Sequence, residues 1–211
     1  MKLTVFGATG GVGREIVRQG LAAGHRVTAV VRDPARLEVT GDRLDVFTAA
    51  SFDDPESLRA AVAGRDAVLS GVGPRGRKDA GITAPVTRSI LRAMDAEGVR
   101  RLLVVSAAPV GEVPRDEPLL GKVAMGVVKV VLKPVYVDLA RMEEELTRSA
   151  TDWTSVRPPQ LLDKPVTGVY RAVVGANPRG GSKIGRPDLA HAMLAMIDDP
   201  ATVRRPVGVA Y

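Results

Sequence analysis

The feature that most limits how this chain can fold is its first glycine cluster, Gly7-Ala8-Thr9-Gly10-Gly11-Val12-Gly13. It follows a short β-branched and apolar run, residues 2–6. It precedes residues 14–23, in which Ile16, Val17 and Leu21 recur at helical spacing until Gly24 stops the pattern. Glycines in a G-x-x-G-x-x-G spacing let a chain leave a strand, turn sharply and enter a helix. The first permits the tight turn, a middle one lets an anionic group approach the backbone, and the last packs the helix close to the sheet. The open N–H groups and positive dipole end at the helix start favour phosphate. The chain is therefore expected to begin with a strand, a pyrophosphate-binding turn and a helix; the plain alternative is a structural turn.

The remaining pattern extends that unit. Residues 26–31, 44–48, 67–70 and 102–106 are apolar runs, and residues 55–63 and 83–97 carry helical spacing between them. Continuous apolar strands alternating with helices predict an α/β fold, a doubly wound parallel sheet of Rossmann type with helices on both faces. The second half is less regular. Residues 109–118 read as a loop. Residues 119–132 read as a helix with a stripe of Leu120, Val123, Val127 and Val131, closed by Pro134. Residues 137–150 form a charged amphipathic helix, 153–156 a strand, 160–186 a Gly- and Pro-rich cover over a sheet edge, 187–197 a helix and 207–210 a last strand. The whole of 1–211 is expected as one NAD(P)-binding domain, with 109–137 and 158–186 supplying the substrate side.

Composition narrows the chemistry. The absence of cysteine excludes disulfides, thiolate metal sites and a cysteine nucleophile. Two histidines, His25 and His191, argue against a histidine-rich metal centre, so no metal site is expected. The net charge of +6 suits an anionic cofactor. Aromatic residues make up only 3%, too few for the stacking platforms of a nucleic-acid binder. No secretory leader is read at the N-terminus. Lys122, Lys129 and Lys133 interrupt the apolar stretch 118–137, each costing roughly 2.5–3.5 kcal/mol at a bilayer centre. A cytoplasmic protein without a membrane segment is the expectation, acting as a monomer or homodimer on a small molecule.

The end of the second strand selects the cofactor. Sites for NAD commonly place Asp or Glu there, about 20 residues beyond the glycines. Here the strand ends in Arg32, which suits a 2′-phosphate through charge-assisted hydrogen bonds, so NADP(H) is expected. Asp33 follows and offers the ribose reading instead.

Taken together, GATGGVG, VVRDPARL, FDDPESLRAAVAGRDAVLSGVG, TRSILRAMDAEGVRRLLVVSA and RPPQL occur in this order. The chain thereby resembles the atypical short-chain dehydrogenase/reductase family, including NmrA-like sensors and the flavin or biliverdin-IXβ reductase type. The resemblance implies that Thr9, Gly10, Gly11 and Val12 meet the pyrophosphate, within a cofactor-binding turn that also includes Gly7 and Gly13, and that Arg32 meets the adenosine phosphate. It implies that Phe52 and Asp53 border the adenine and that Gly71, Val72 and Gly73 pass beneath the ribose and phosphates. Ser106 would face the nicotinamide as the candidate catalytic residue, with a structural strand-end serine as its alternative. Pro158, Pro159 and Gln160 would form part of the nicotinamide wall.

One departure matters. Ordinary members of the wider family carry Tyr-x-x-x-Lys, but here Tyr136 is followed by Ala140 and Tyr170 by Val174. Hydride transfer to a small conjugated or flavin-like acceptor is the expected activity, and a non-enzymatic NADP(H)-binding redox sensor is the alternative. Among other polar groups, Arg75, Arg77 and Lys78 reach toward phosphate or an acidic substrate or lie in a solvated loop. Glu143, Glu144 and Glu145 read as a solvated helix face, His191 as structural and Trp153 as core.

Overall fold

The computed structural model describes residues 1–74, 80–112, 126 and 130–211. Its strands are β1 (Lys2–Phe6), β2 (Arg26–Val31), β3 (Leu44–Thr48), β4 (Ala67–Ser70), β5 (Arg101–Val105), β6 (Asp152–Arg157), β7 (Gln160–Leu162), β8 (Arg171–Val174), β9 (Lys183–Gly185) and β10 (Arg205–Ala210). Its α-helices are α1 (Gly11–Ala22), α2 (Pro55–Val62), α3 (Thr83–Ala96), α4 (Lys133–Arg148) and α5 (Arg186–Ala195). The main sheet runs β3-β2-β1-β4-β5-β6-β10-β8, parallel throughout except where β8 pairs antiparallel with β10 at the edge. The five strands expected in doubly wound order occupy that order, and strand direction of travel reverses between β1 and β4. Ligands bind outside the carboxyl ends of strands at such a switch point.

The two-residue period of the strands divides the core into two layers. Leu3, Val5, Val27, Ala29, Val31, Ala67, Leu69 and Leu103 point to the α1 and α5 face. Phe6, Val30, Val68, Leu102 and Val104 point to the face covered by α2, α3 and α4. Thr4 also faces that layer and satisfies its buried hydroxyl by donating to the Ala61 carbonyl at 2.6 Å. Gly24 ends α1 with φ of +83°, as its position in the sequence anticipates.

Side chains from distant elements fix the helices. Asp138 of α4 is buried and accepts from the backbone N–H groups of Thr83 at 2.8 Å and Ala84 at 3.2 Å, capping α3 from another helix. Arg101 is buried at the start of β5 and donates to the carbonyls of Met196 at 2.5 Å and Ile197 at 2.8 Å, at the C-terminal end of α5. A cation there complements the helix dipole. Burial still holds the Arg101 guanidinium below its ordinary pKa, against the opposing pull of Asp152, Asp199 and Asp198.

Asp188 in the first turn of α5 is fully buried. It accepts from the N–H groups of Thr167 and Gly168, both at 2.8 Å, and from the Tyr211 hydroxyl at 2.6 Å. Burial by itself raises its pKa, but the hydrogen bonds from Tyr211, Gly168 and Thr167 outweigh that and hold the carboxyl below the usual carboxylate range. A lowered folded-state pKa contributes stability that is present above the unfolded value and disappears as pH falls through the folded one. Asp188→Asn is therefore expected to lower the melting temperature at pH 7 and to shrink the difference between pH 7 and acid. Melting curves across that range check it; an unchanged acid limb would remove Asp188 from the linkage.

The second half of the chain adds detail to the sequence expectations. Residues 126, 130 and 131 are helical and Leu132 is a turn, so the preceding helix ends just before Pro134 as expected, and Pro134 then sits in the first turn of α4, where its fixed φ and missing N–H cost nothing. The Gly- and Pro-rich cover contains β8 on the sheet edge, while β7 and β9 pair with each other in a small parallel sheet. Of the stripe expected over 119–132, Leu120, Val123 and Val127 lie outside the described residues, and Val131 is half-exposed. No helix among the described residues is long and apolar enough to cross a membrane.

Candidate functional site

A cleft of about 630 Å³ opens at the β1/β4 switch point. Its floor is the glycine turn, represented by Gly7, Thr9 and Gly10, together with Gly71, Val72 and Gly73 after β4. Its far end is Arg32 and Asp33 after β2, with Phe52 and Asp53 after β3. The structure thus brings ten of the residues singled out in the sequence into one cavity.

Backbone contact explains the glycines. Gly7 adopts φ of +73°, and a Cβ on it would lie 2.8 Å from the Gly71 carbonyl carbon and from the Val72 nitrogen. A Cβ on Gly13 would lie 2.1 Å from the Gly7 carbonyl oxygen, and one on Gly71 would lie 2.9 Å from the Gly13 nitrogen. These three glycines interlock the β1–α1 turn with the end of β4. Gly13 and Val12 are buried in that junction and do not line the cleft. Gly10 does line it, donates to the Gly7 carbonyl at 2.9 Å, and leaves the start of α1 without a side-chain cap. A cradle made of bare backbone at a helix N-terminus fits an anionic pyrophosphate.

The end of the cleft beyond β2 and β3 is polar and aromatic. The Arg32 guanidinium lies 5.8 Å from the Phe52 ring centre, and Phe52 meets Phe6 edge-on. A planar cation beside an aromatic ring suits a flat ring system with a phosphate next to it. Asp33 uses its carboxylate to cap the short helical turn Pro34–Arg36, accepting from the Ala35 N–H at 3.1 Å. That turn aims a second cation, Arg36, into the same end of the cleft. Sequence reasoning missed Arg36, although its place one short turn after Arg32 was the available signal.

The remaining predicted residues lie elsewhere. Ser106 follows β5, is buried, and donates to Glu143 Oε1 of α4 at 2.7 Å. The same oxygen accepts from Ser155 Oγ at 2.7 Å and Arg157 Nε at 2.9 Å, and Arg157 Nη2 pairs with Glu143 Oε2. Both side chains of this ion pair are only 14% exposed. Glu143 is therefore not part of a solvated face; Glu144, 61% exposed, is. Pro158, Pro159 and Gln160 continue from β6, with the Pro158 carbonyl accepting from the Ala108 N–H at 2.8 Å. Neither Ser106 nor these three line the cleft. Gly11 lies under the Arg186 side chain. Arg75, Arg77 and Lys78 lie outside the described residues. His191 meets the Tyr170 hydroxyl at 2.7 Å through Nδ1, and Trp153 is buried in the α2–α4 layer.

Fold and cleft together define a dinucleotide-binding Rossmann protein. The NAD(P)H-binding family model matches residues 7–200, and the chain belongs to that family. A Bacillus subtilis relative described as an uncharacterized sugar epimerase is 27% identical, over 97% of this chain and 92% of its own length. An uncharacterized Mycobacterium tuberculosis protein is 32% identical over 57% of this chain, and the match spans only 13% of that relative's length. Among solved structures, a Burkholderia pseudomallei protein described as exported is 29% identical with a TM-score of 0.82, each chain covered in full. A Veillonella parvula short-chain dehydrogenase/reductase solved with NADP shares the fold at 19% identity and a TM-score of 0.79, covering 100% of this chain and 94% of its own.

Proposed function

We propose that the chain is an NADPH-dependent reductase that passes hydride to a small conjugated or flavin-like acceptor. The observation that carries the cofactor choice is the pairing of Arg32 with Arg36 at the adenosine end, while the neighbouring Asp33 is engaged in capping its own turn. Two cations, with Asp33 engaged by its own turn, favour a 2′-phosphate over a bare ribose diol. Bare backbone around Gly7 and Gly10 would hold the pyrophosphate, with Gly71, Val72 and Gly73 beneath it. Phe52 and Asp53 would border the adenine. NADPH supplies the hydride when bound.

The choice of acceptor rests on what helix α4 lacks. Tyr136 stands near its start, but Ala140 replaces the lysine that would lower the phenol's pKa, and burial pushes that phenol up instead. A tyrosine so placed is a poor proton donor near neutral pH. An acceptor that takes hydride without strong protein acid catalysis suits such a site. Ser106 would then orient the nicotinamide or acceptor, with Pro158, Pro159 and Gln160 as the wall. The same reading places the protein in the cytoplasm as a monomer or homodimer.

Calorimetric titration with NADPH and NADH is the first test. Arg32→Ala is expected to weaken NADPH by about ten- to a hundredfold, the range of charge-assisted hydrogen bonds, and to leave NADH nearly unchanged. Equal loss for both cofactors would remove Arg32 from the 2′-phosphate role. Steady NADPH oxidation over a panel of flavins, quinones and aldehydes tests the reaction. Tight binding without turnover on any of them would favour the redox-sensor alternative.

A further inference from the structure

Arg186, the first residue of α5, lies where no local pattern explains it. A cation at a helix N-terminus opposes the dipole, and α5 has no side-chain cap at that end. The side chain runs across the start of α1: a Cβ on Gly11 would lie 2.6 Å from Arg186 Cδ and 2.8 Å from Nε. Gly11 is thus kept bare by an arginine from a helix far along the sequence. The guanidinium donates from Nη1 to Asp163 Oδ1 at 2.7 Å. Asp163 follows β7, on the segment that continues from Pro158–Gln160, and its side chain is 87% exposed; Arg186 is 29% exposed.

We infer that Arg186 is a pyrophosphate-binding residue of the cofactor site, held by Asp163 until a phosphate oxygen takes the carboxylate's place. This rests on the cofactor reading above. The charge balance supports it. A dinucleotide pyrophosphate carries two negative charges, and Gly7–Gly13 contains no basic side chain. Arg186 is the cation whose stem lies on the first residue of α1. Its planar fork can exchange one oxyanion for another while the stem stays on Gly11. The exchange is cheap, since an ion pair to so exposed a carboxylate holds the guanidinium weakly. Asp163 would also tie the wall segment to the occupied state, because its release on phosphate binding frees that segment's one bond to Arg186.

Calorimetry separates this role from that of Arg32. Arg186→Met, which keeps an apolar stem over Gly11, is expected to weaken NADPH and NADH alike, by about ten- to a hundredfold. Adenosine 2′-monophosphate, which lacks the pyrophosphate, should bind the variant as it binds the parent. Asp163→Asn should tighten both dinucleotides about two- to fivefold, by removing the competing carboxylate. Equal affinity of parent and Arg186→Met for NADPH would overturn the inference and leave the cofactor site standing. So would a parallel loss of adenosine 2′-monophosphate, which marks a distorted site. Should Arg186→Met not fold, Asp163→Asn decides, and unchanged dinucleotide affinity there overturns the role. If the parent binds neither dinucleotide, the cofactor reading itself fails and takes this one with it.

Discussion

Gly13→Ala is expected to cost about 3 kcal/mol of stability or more, whereas Gly10→Val should leave a folded chain that no longer binds cofactor. The two positions differ in what a side chain would meet. At Gly13 the new methyl would sit 2.1 Å from the Gly7 carbonyl oxygen and 2.6 Å from its carbon. These are backbone atoms in a turn locked by Gly71, so no rotamer change relieves the clash, and the cost lies at or above the upper end of ordinary overpacking. At Gly10 the first side-chain atom would sit 3.2 Å from the same oxygen. A shift of a few tenths of an ångström accommodates it, and the rest of a valine projects into the cleft, where the pyrophosphate would come. Thermal melting and NADPH calorimetry on both variants separate the effects. A Gly13→Ala protein that melts with the parent would show that the β1–α1 turn is free to move away from β4. A Gly10→Val protein with unchanged NADPH affinity would place the phosphates elsewhere.

Much of this was legible in the sequence because burial on two faces leaves a continuous mark. The strands Lys2–Phe6, Arg26–Val31, Leu44–Thr48 and Ala67–Ser70 match their apolar runs residue for residue. Burial on both faces leaves β1, β2 and β4 no polar alternation, whereas β3 at the sheet edge is largely exposed, with Asp45, Val46 and Thr48 open to solvent. The arginine end of the cleft was legible for a different reason: Arg32 follows directly on β2, and Phe52 and Asp53 lie in the loop after β3, so sheet order brings them together. What stayed hidden depends on partners remote in sequence. Glu143 reads as one of three successive glutamates, yet it shares a helical stripe with the buried Leu139, Met142 and Leu146. That spacing was the signal, and an acidic residue on an apolar stripe implies a buried cation facing it. Arg186 gave a similar hint by standing at the wrong end of a helix dipole. Nothing local could say that its side chain crosses Gly11, because that contact exists only once α5 has packed on α1.

The Glu143 cluster carries the other large effect. Glu143→Leu is expected to lower stability by about 3–5 kcal/mol, because it leaves the Arg157 guanidinium buried without its counter-charge. It also strips the Ser106 and Ser155 hydroxyls of the acceptor they share. For a chain of this size that corresponds to a fall in melting temperature of roughly 6–20 °C. An exposed control, Glu144→Ala, should stay within about 0.5 kcal/mol of the parent, since its partner Arg148 lies at 3.5 Å in solvent. The double change Glu143→Leu with Arg157→Leu should recover most of the loss, because apolar replacement of a whole buried pair is often neutral or favourable. That recovery distinguishes an unpaired charge from a simple packing defect, and a double-mutant cycle measures it. The cluster joins α4 to the ends of β5 and β6, the strands that lead into Ser106 and into Pro158–Gln160. The double variant should therefore fold yet hold Ser106 less firmly. If Ser106 orients the nicotinamide side, turnover with the best acceptor of the panel should fall in that variant while NADPH affinity is kept. A single Glu143→Leu variant as stable as the exposed control would mean that Arg157 reaches water without its partner, and the cluster would then have no part in positioning Ser106.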